Sequence, residues 1–197
     1  MSAATQQLAR PYFDQRIKRE TVFVMPGHHF VQNGGSGAIC TLLGSCVSAC
    51  IRDTQSEMGG LNHFLLPNAF KIASTSARYG VQAMELLIND LIRNGAKKTD
   101  LVAKVFGGAN VIATGSRKSV GDQNGVFVKA YLQSESIPIL AEDLGGHRAR
   151  RIYFFPATGR VSVLAVSQTA NGELERKEQV LRERALSQSQ SGKVELF

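Results

Sequence analysis

The chain has 197 residues, of which 43% are hydrophobic and 20% charged, the size and balance of one ordinary globular domain. Collagen-like, coiled-coil and wholly disordered classes are excluded, and no run approaches the roughly 20 apolar residues of a membrane-spanning helix. Twenty-three basic against 16 acidic residues give a net charge of +7, which favours an acidic partner. Trp is absent, aromatics are 7%, and there is no Lys/Arg block or zinc-finger spacing, so nucleic acid is not the expected partner. Gln6, Gln7 and Arg10 stand where a secretory signal needs a continuous apolar stretch, which points to the cytoplasm. Three cysteines cannot all pair within one chain, and that compartment keeps thiols reduced, so cysteine chemistry here is reactive or metal-binding.

Residues 1–20 are polar, mix charges of both signs and hold Pro11, and read as an extension before a domain spanning 21–168. Apolar runs broken by Gly, Asp and Asn predict strands at Thr21–Val24, Ala38–Leu43, Cys46–Arg52 and Met58–Leu66. A helix follows: Ser74 to Ser76 can cap it, Val81, Met84, Leu87, Ile88, Leu91 and Ile92 recur at helical spacing, and Gly95 can end it with a left-handed residue. Leu101–Phe106 reads as a strand, residues 121–134 as a second helix, and Ile137–Leu140, Arg151–Phe155 and Val161–Val166 as further strands. Residues 169–197 form a charged tail, partly helical and then of low complexity. With no internal repeat and more strands than helices, the expected class is α+β: mixed or antiparallel sheets layered with two main helices in a sandwich.

The chemistry concentrates in Leu43-Gly44-Ser45-Cys46-Val47 and in His63, seventeen residues after the cysteine. If Asp53-Thr54-Gln55-Ser56 is the turn of a β-hairpin, Arg52 faces Glu57 and Cys46 comes to stand directly opposite His63, with Cβ atoms about 5 Å apart. That spacing suits a thiolate paired with an imidazolium. Gly44 allows a tight turn whose N–H groups, at Gly44 and Ser45, can stabilise an oxyanion. Two other readings stand beside this one: a buried structural thiol, and a zinc site of Cys40, Cys46, Cys50 and His63, although the cysteines lack the short Cys-x2-Cys knuckle. His28 and His29 fall in a Pro26-Gly27 turn and read as exposed and inert. The pairs Gly107-Gly108 and Gly145-Gly146 lack the Gly-Lys-Ser/Thr of a P-loop and read as close packing or tight turns.

Leu42-Leu43-Gly44-Ser45-Cys46-Val47 and Gly60-Leu61-Asn62-His63-Phe64-Leu65-Leu66-Pro67 together resemble the CheD family of chemoreceptor glutamine deamidases. The likeness continues through Arg78-Tyr79-Gly80 with Ala83-Met84, Ala103-Lys104-Val105-Phe106-Gly107-Gly108-Ala109 and Glu142-Asp143-Leu144-Gly145-Gly146, so it spans about Thr21 to Val166. It implies hydrolysis of glutamine side chains to glutamate on the cytoplasmic helices of methyl-accepting receptors, with Cys46 as nucleophile and His63 as general base. No metal or organic cofactor is implied. A threonine upstream of the cysteine completes the family's site. Here Cys40 holds the position six before Cys46, and Thr41 beside it would point to the other face of a regular strand. Either a register shift brings Thr41 in, or the third role is weaker. Arg148, Arg150 and Arg151 are candidates to meet an acidic receptor helix. A CheC-type chemotaxis phosphatase is a further possible partner, and non-catalytic binding to it is the alternative function.

Overall fold

In the computed structural model, which describes residues 10–65, 73–110 and 119–166 and only the backbone of 73–78, strand alternation sorts the side chains into layers. Along strand β4 (Ala38–Leu43), Ile39 and Leu43 enter one core cluster while Ala38 and Cys40 enter another. Successive strand residues face opposite sides, so Thr41 shares the Ile39 and Leu43 side.

The order along the chain is β1 (Tyr12–Asp14), β2 (Arg19–Phe23), β3 (His29–Asn33), β4, β5 (Val47–Asp53), β6 (Met58–Asn62), α1 (Ala73–Arg93), β7 (Leu101–Gly107), α2 (Val120–Ser134), β8 (Ile139–Leu144), β9 (Arg150–Phe155) and β10 (Arg160–Ala165). One sheet runs β1-β2-β4-β9-β10 and the other β3-β6-β5-β7-β8. Both are mixed, since β2 with β4 and β7 with β8 are parallel while their other pairings are antiparallel. Ile39, Leu43, Ile152 and Phe154 of the first sheet share a core with Cys46, Cys50, Leu61 and Phe106 of the second. The second sheet's other face, Val47, Ala49, Ile51 and Val105, packs with Met84, Leu87 and Leu91 of α1 and Val128 and Leu132 of α2. The result is the expected α+β class. Full burial of side chains such as Leu87 and Leu91 contributes about 1.5–3 kcal/mol each.

Helix α1 stops as its sequence predicts: Gly95 has φ 108°, and the Ala96 N–H closes the end on the Leu91 carbonyl at 3.0 Å. The proposed capping serines of this helix and the 169–197 tail lie outside the described side chains. Among the described residues no helix is long and apolar enough to cross a membrane.

The structure differs from the sequence reading in three places. Order begins before Thr21: β1 and the start of β2 fall in the stretch read as an extension, and the buried Asp14 accepts a hydrogen bond from the Tyr153 hydroxyl at 2.9 Å. His29 is buried in a strand the sequence did not predict and bonds through Nε2 to Asp90 of α1 at 2.6 Å; its helix partner makes it a tertiary tie rather than an inert turn residue.

The third difference is the hairpin register. Arg52 pairs with Gly59 rather than Glu57, and Val47 bridges Phe64. Asp53 sets this register. Its buried carboxylate accepts from the N–H groups of Gln55, Ser56 and Lys97, which holds it at the end of β5 and leaves 54–57 as the turn. Cys46 therefore does not stand directly opposite His63. In the observed register His63 is level with Ser48, and Cys46 lies one step along the same face, a diagonal of about 7–8 Å between Cα atoms in a regular ladder.

Candidate active site

Cys46 and His63 sit at the open end of the β5–β6 hairpin, just before β5 and just after β6. Both are buried, at 1% and 3% exposure. The His63 main chain is tied to the turn before β3: its N–H donates to the His28 carbonyl at 2.9 Å, and its carbonyl accepts from the Gly27 N–H at 2.7 Å. Next to it, buried Asn62 accepts from the Ala49 N–H at 2.9 Å and donates to the Ala83 carbonyl at 3.1 Å. This joins the mouth of the hairpin to α1.

The His63 side chain is oriented by Thr41. The two are 2.7 Å apart, Oγ1 to Nδ1, and the same hydroxyl lies 2.8 Å from the Val24 carbonyl. A carbonyl only accepts, so the hydroxyl's one hydrogen goes to Val24 and its oxygen accepts from Nδ1–H. The proton of the neutral ring is thus on Nδ1, and Nε2 carries the lone pair. Among the described residues the buried Nε2 has no hydrogen-bond partner. Burial pushes the His63 pKa down to about 4, the Val24 carbonyl opposes the shift and the nearby His28 adds to it. At neutral pH the ring is therefore an uncharged base rather than half of a ready-made ion pair.

Of the two residues at the expected third position, Thr41 is the one beside His63. Cys40 packs on the opposite face of β4 with Tyr153 and Phe155. Burial pushes its thiol up to about 11, against the opposing pull of Arg151, and burial raises the Cys50 thiol as well. Cys40 is thus separated from the other three residues of the zinc reading by the strand itself, and among the described residues no three His, Cys, Asp or Glu side chains gather into a metal-binding group.

The loop that carries the cysteine is fixed from one side. The carbonyls of Gly44, Ser45 and Cys46 accept, in turn, from Ala109 N at 2.8 Å, Asn124 Nδ2 at 2.7 Å and Gly108 N at 2.7 Å. Gly107 makes this approach possible: its φ is 110°, and a Cβ there would come within 2.2 Å of the Cys46 carbonyl oxygen. The first turn of α2 packs equally closely, because a Cβ on Gly121 would fall 2.2 Å from the Gly108 oxygen. A capping box between Ser119 and Asp122 starts that helix. Asn124 escaped the sequence reading; the one signal was an amide within an otherwise apolar helix stripe.

The three candidate arginines part company. Arg150 is buried, with its guanidinium 2.5 Å from the Asp143 carboxylate and donating to the Asp143 and Gly145 carbonyls. Arg151 is half-buried over the Phe23 ring at 5.9 Å. Arg148 is exposed, in the loop whose Gly146 carbonyl accepts from Asn110 N.

A family model described as CheD chemotactic sensory transduction matches residues 65–165. Three curated relatives carry the name "Probable chemoreceptor glutamine deamidase CheD". That of Methylobacillus flagellatus is 44% identical over 191 residues, covering 94% of each chain. That of Janthinobacterium sp. is 46% identical over 94% of this chain and 93% of its own. That of Thiobacillus denitrificans is 43% identical over 201 residues, covering 100% of this chain and 99% of its own. With the family model covering half of the chain and these relatives covering nearly all of it, the chain belongs to the CheD family.

Proposed function

We propose that this protein hydrolyses glutamine side chains of chemoreceptors to glutamate, releasing ammonia, with Cys46 as nucleophile. The observation that carries the reading is the Thr41–His63 pair: a base whose Nδ1 proton is held by a hydroxyl and whose Nε2 has no partner among the described residues, one step along the sheet face from a cysteine. Nε2 takes the thiol proton as sulfur attacks the amide carbon, and returns it to the amine as the C–N bond breaks and ammonia leaves. The thioester that remains is cleaved by water, again with Nε2 as base, giving the carboxylate and the free thiol. Entry of substrate and water into the buried site lessens the desolvation of the ring and raises its basicity toward the value the reaction needs.

The oxyanion goes to the other side of the cysteine loop. In a trans peptide the N–H points away from the preceding carbonyl, so holding the Gly44 and Ser45 carbonyls on the β7 and α2 side turns the following N–H groups, those of Ser45 and Cys46 rather than the expected Gly44 and Ser45, toward the opposite side. We assign those N–H groups to the tetrahedral intermediate.

The test is mass spectrometry of receptor cytoplasmic fragments incubated with the protein. Site-specific mass gain of deamidation is expected with the wild type and none with Cys46→Ala, whose fold is checked by circular dichroism. Full activity in a folded Cys46→Ala protein would end this reading.

A further inference from the structure

At the end of the sandwich away from Cys46, two cations lie in the layer between the sheets. Cys50 and Phe106 face that layer, and by strand alternation Arg52 on β5 and Lys104 on β7 do too. Neither side chain has a carboxylate partner among the described residues. Lys104 Nζ donates to the Gly159 carbonyl at 2.8 Å and Arg52 Nη2 to the Ala157 carbonyl at 3.0 Å, both in the β9–β10 turn. Arg52 Nε is buried with no hydrogen-bond partner among the described residues. Both side chains are half-buried; charge partly withdrawn from water without a counter-charge carries a cost, which neutral carbonyls offset only in part.

These groups line a cavity of about 110 Å³, together with Cys50, Thr54, Thr158 and Gly159, and no Asp or Glu is among its lining residues. That space holds a few waters or one tetrahedral oxyanion. Burial keeps the Cys50 thiol protonated, so it adds no repulsion. Thr158 also lines an adjoining cleft of about 490 Å³ that contains Arg19 and Arg160, with Glu57 as its one acidic residue. That cleft has room for the organic part of a small molecule.

We propose that the smaller cavity binds a phosphate-class oxyanion, either free phosphate or the terminal group of a small phosphorylated molecule. Arg52 Nε and Lys104 Nζ supply charge-assisted donors, and the Thr54 hydroxyl, which accepts from Gln55 Nε2 and keeps its own hydrogen, adds a third. This inference is independent of the deamidase reading, and its test does not involve Cys46.

The experiment is calorimetric titration and thermal denaturation of the full chain with sodium phosphate, against sodium chloride at matched ionic strength. Saturable heat and a stabilisation that grows with the logarithm of phosphate concentration are expected. Lys104→Gln, alone and with Arg52→Gln, should weaken binding by about tenfold or more, whereas Lys104→Arg and the remote Arg93→Gln should retain it. Glycerol phosphate distinguishes the sources: tighter binding than phosphate, lost in Arg160→Gln, identifies a phosphorylated molecule that extends into the larger cleft; weaker binding identifies free phosphate. Identical behaviour in phosphate and chloride, or unchanged affinity in Lys104→Gln, overturns the proposal. The wild-type comparison decides even if the double variant fails to fold.

Discussion

Acidification from pH 7 to 4 turns the burial of His63 into a measurable loss of stability. The ring's pKa falls from 6.5 to about 4 on folding, so between these values the unfolded chain binds a proton that the folded protein refuses. The stabilising difference is fully present above pH 6.5 and is lost as the pH falls toward 4. With 1.36 kcal/mol per pKa unit, the loss reaches about 3 kcal/mol at pH 4. Carboxylates begin to titrate toward the acid end of the same range. The His63→Gln variant, which can still donate to Thr41 but does not titrate, removes their contribution by subtraction. Urea denaturation of both proteins at half-unit pH steps should give curves that converge in acid, with the wild type losing about 3 kcal/mol more than the variant. Parallel curves over pH 7 to 4 would refute the buried, neutral imidazole.

Further expectations follow from the same site. Thr41→Val leaves the Nδ1 proton unsatisfied, costs about 1–3 kcal/mol of stability and lowers kcat more than it changes KM; Thr41→Ser should restore most of both, as read by denaturation and the deamidation assay. Asn124→Ala frees the Ser45 carbonyl and should cost about 1–3 kcal/mol together with a fall in kcat, while Cys46 remains alkylatable after unfolding. In the native protein, iodoacetamide labelling with peptide mapping should find Cys46 ahead of Cys40 and Cys50, whose thiols burial holds protonated; equal labelling of all three would contradict the assignment. Arg148→Glu should slow association with receptor fragments in a salt-dependent way, whereas Arg150→Glu should instead destabilise the fold by about 3 kcal/mol or more through its severed buried contacts, as stopped-flow binding and thermal melts can separate.

Most strands, both helices and the α+β class were legible because burial is periodic in them: the Met84, Leu87, Leu91 series reads as a helix face in any context. The hairpin register was not, because it depends on whether Asp53 ends the strand or begins the turn. Its carboxylate is committed partly to Lys97 N, a contact made 44 residues downstream that no local pattern announces. Strand β3 was missed for a similar reason, since a histidine reads as polar until Asp90 of α1 is in place to bond it. For the site, the cysteine and histidine stood out through resemblance, whereas the choice between Cys40 and Thr41 required knowing which face of β4 meets the second sheet. The supports of the cysteine loop, Ala109, Gly108 and Asn124, were out of reach because hydrogen bonds to carbonyl oxygens leave little trace in residue type.

Those supports bear on how the protein is made. The residues of the proposed chemistry occupy positions 41–63, while the donors that hold the Gly44–Cys46 carbonyls come from positions 108, 109 and 124. Synthesis proceeds from the N-terminus at about 5–20 residues per second, so the thiol and imidazole leave the ribosome several seconds before the segment that shapes their loop. During that interval the chain carries a cysteine but not a formed site. Under the proposed function, competence to attack an amide arrives no earlier than β7 and the first turn of α2, and it waits further for β9, whose Ile152 pairs with Thr41; a truncated product ending before them is expected to be inert toward receptors.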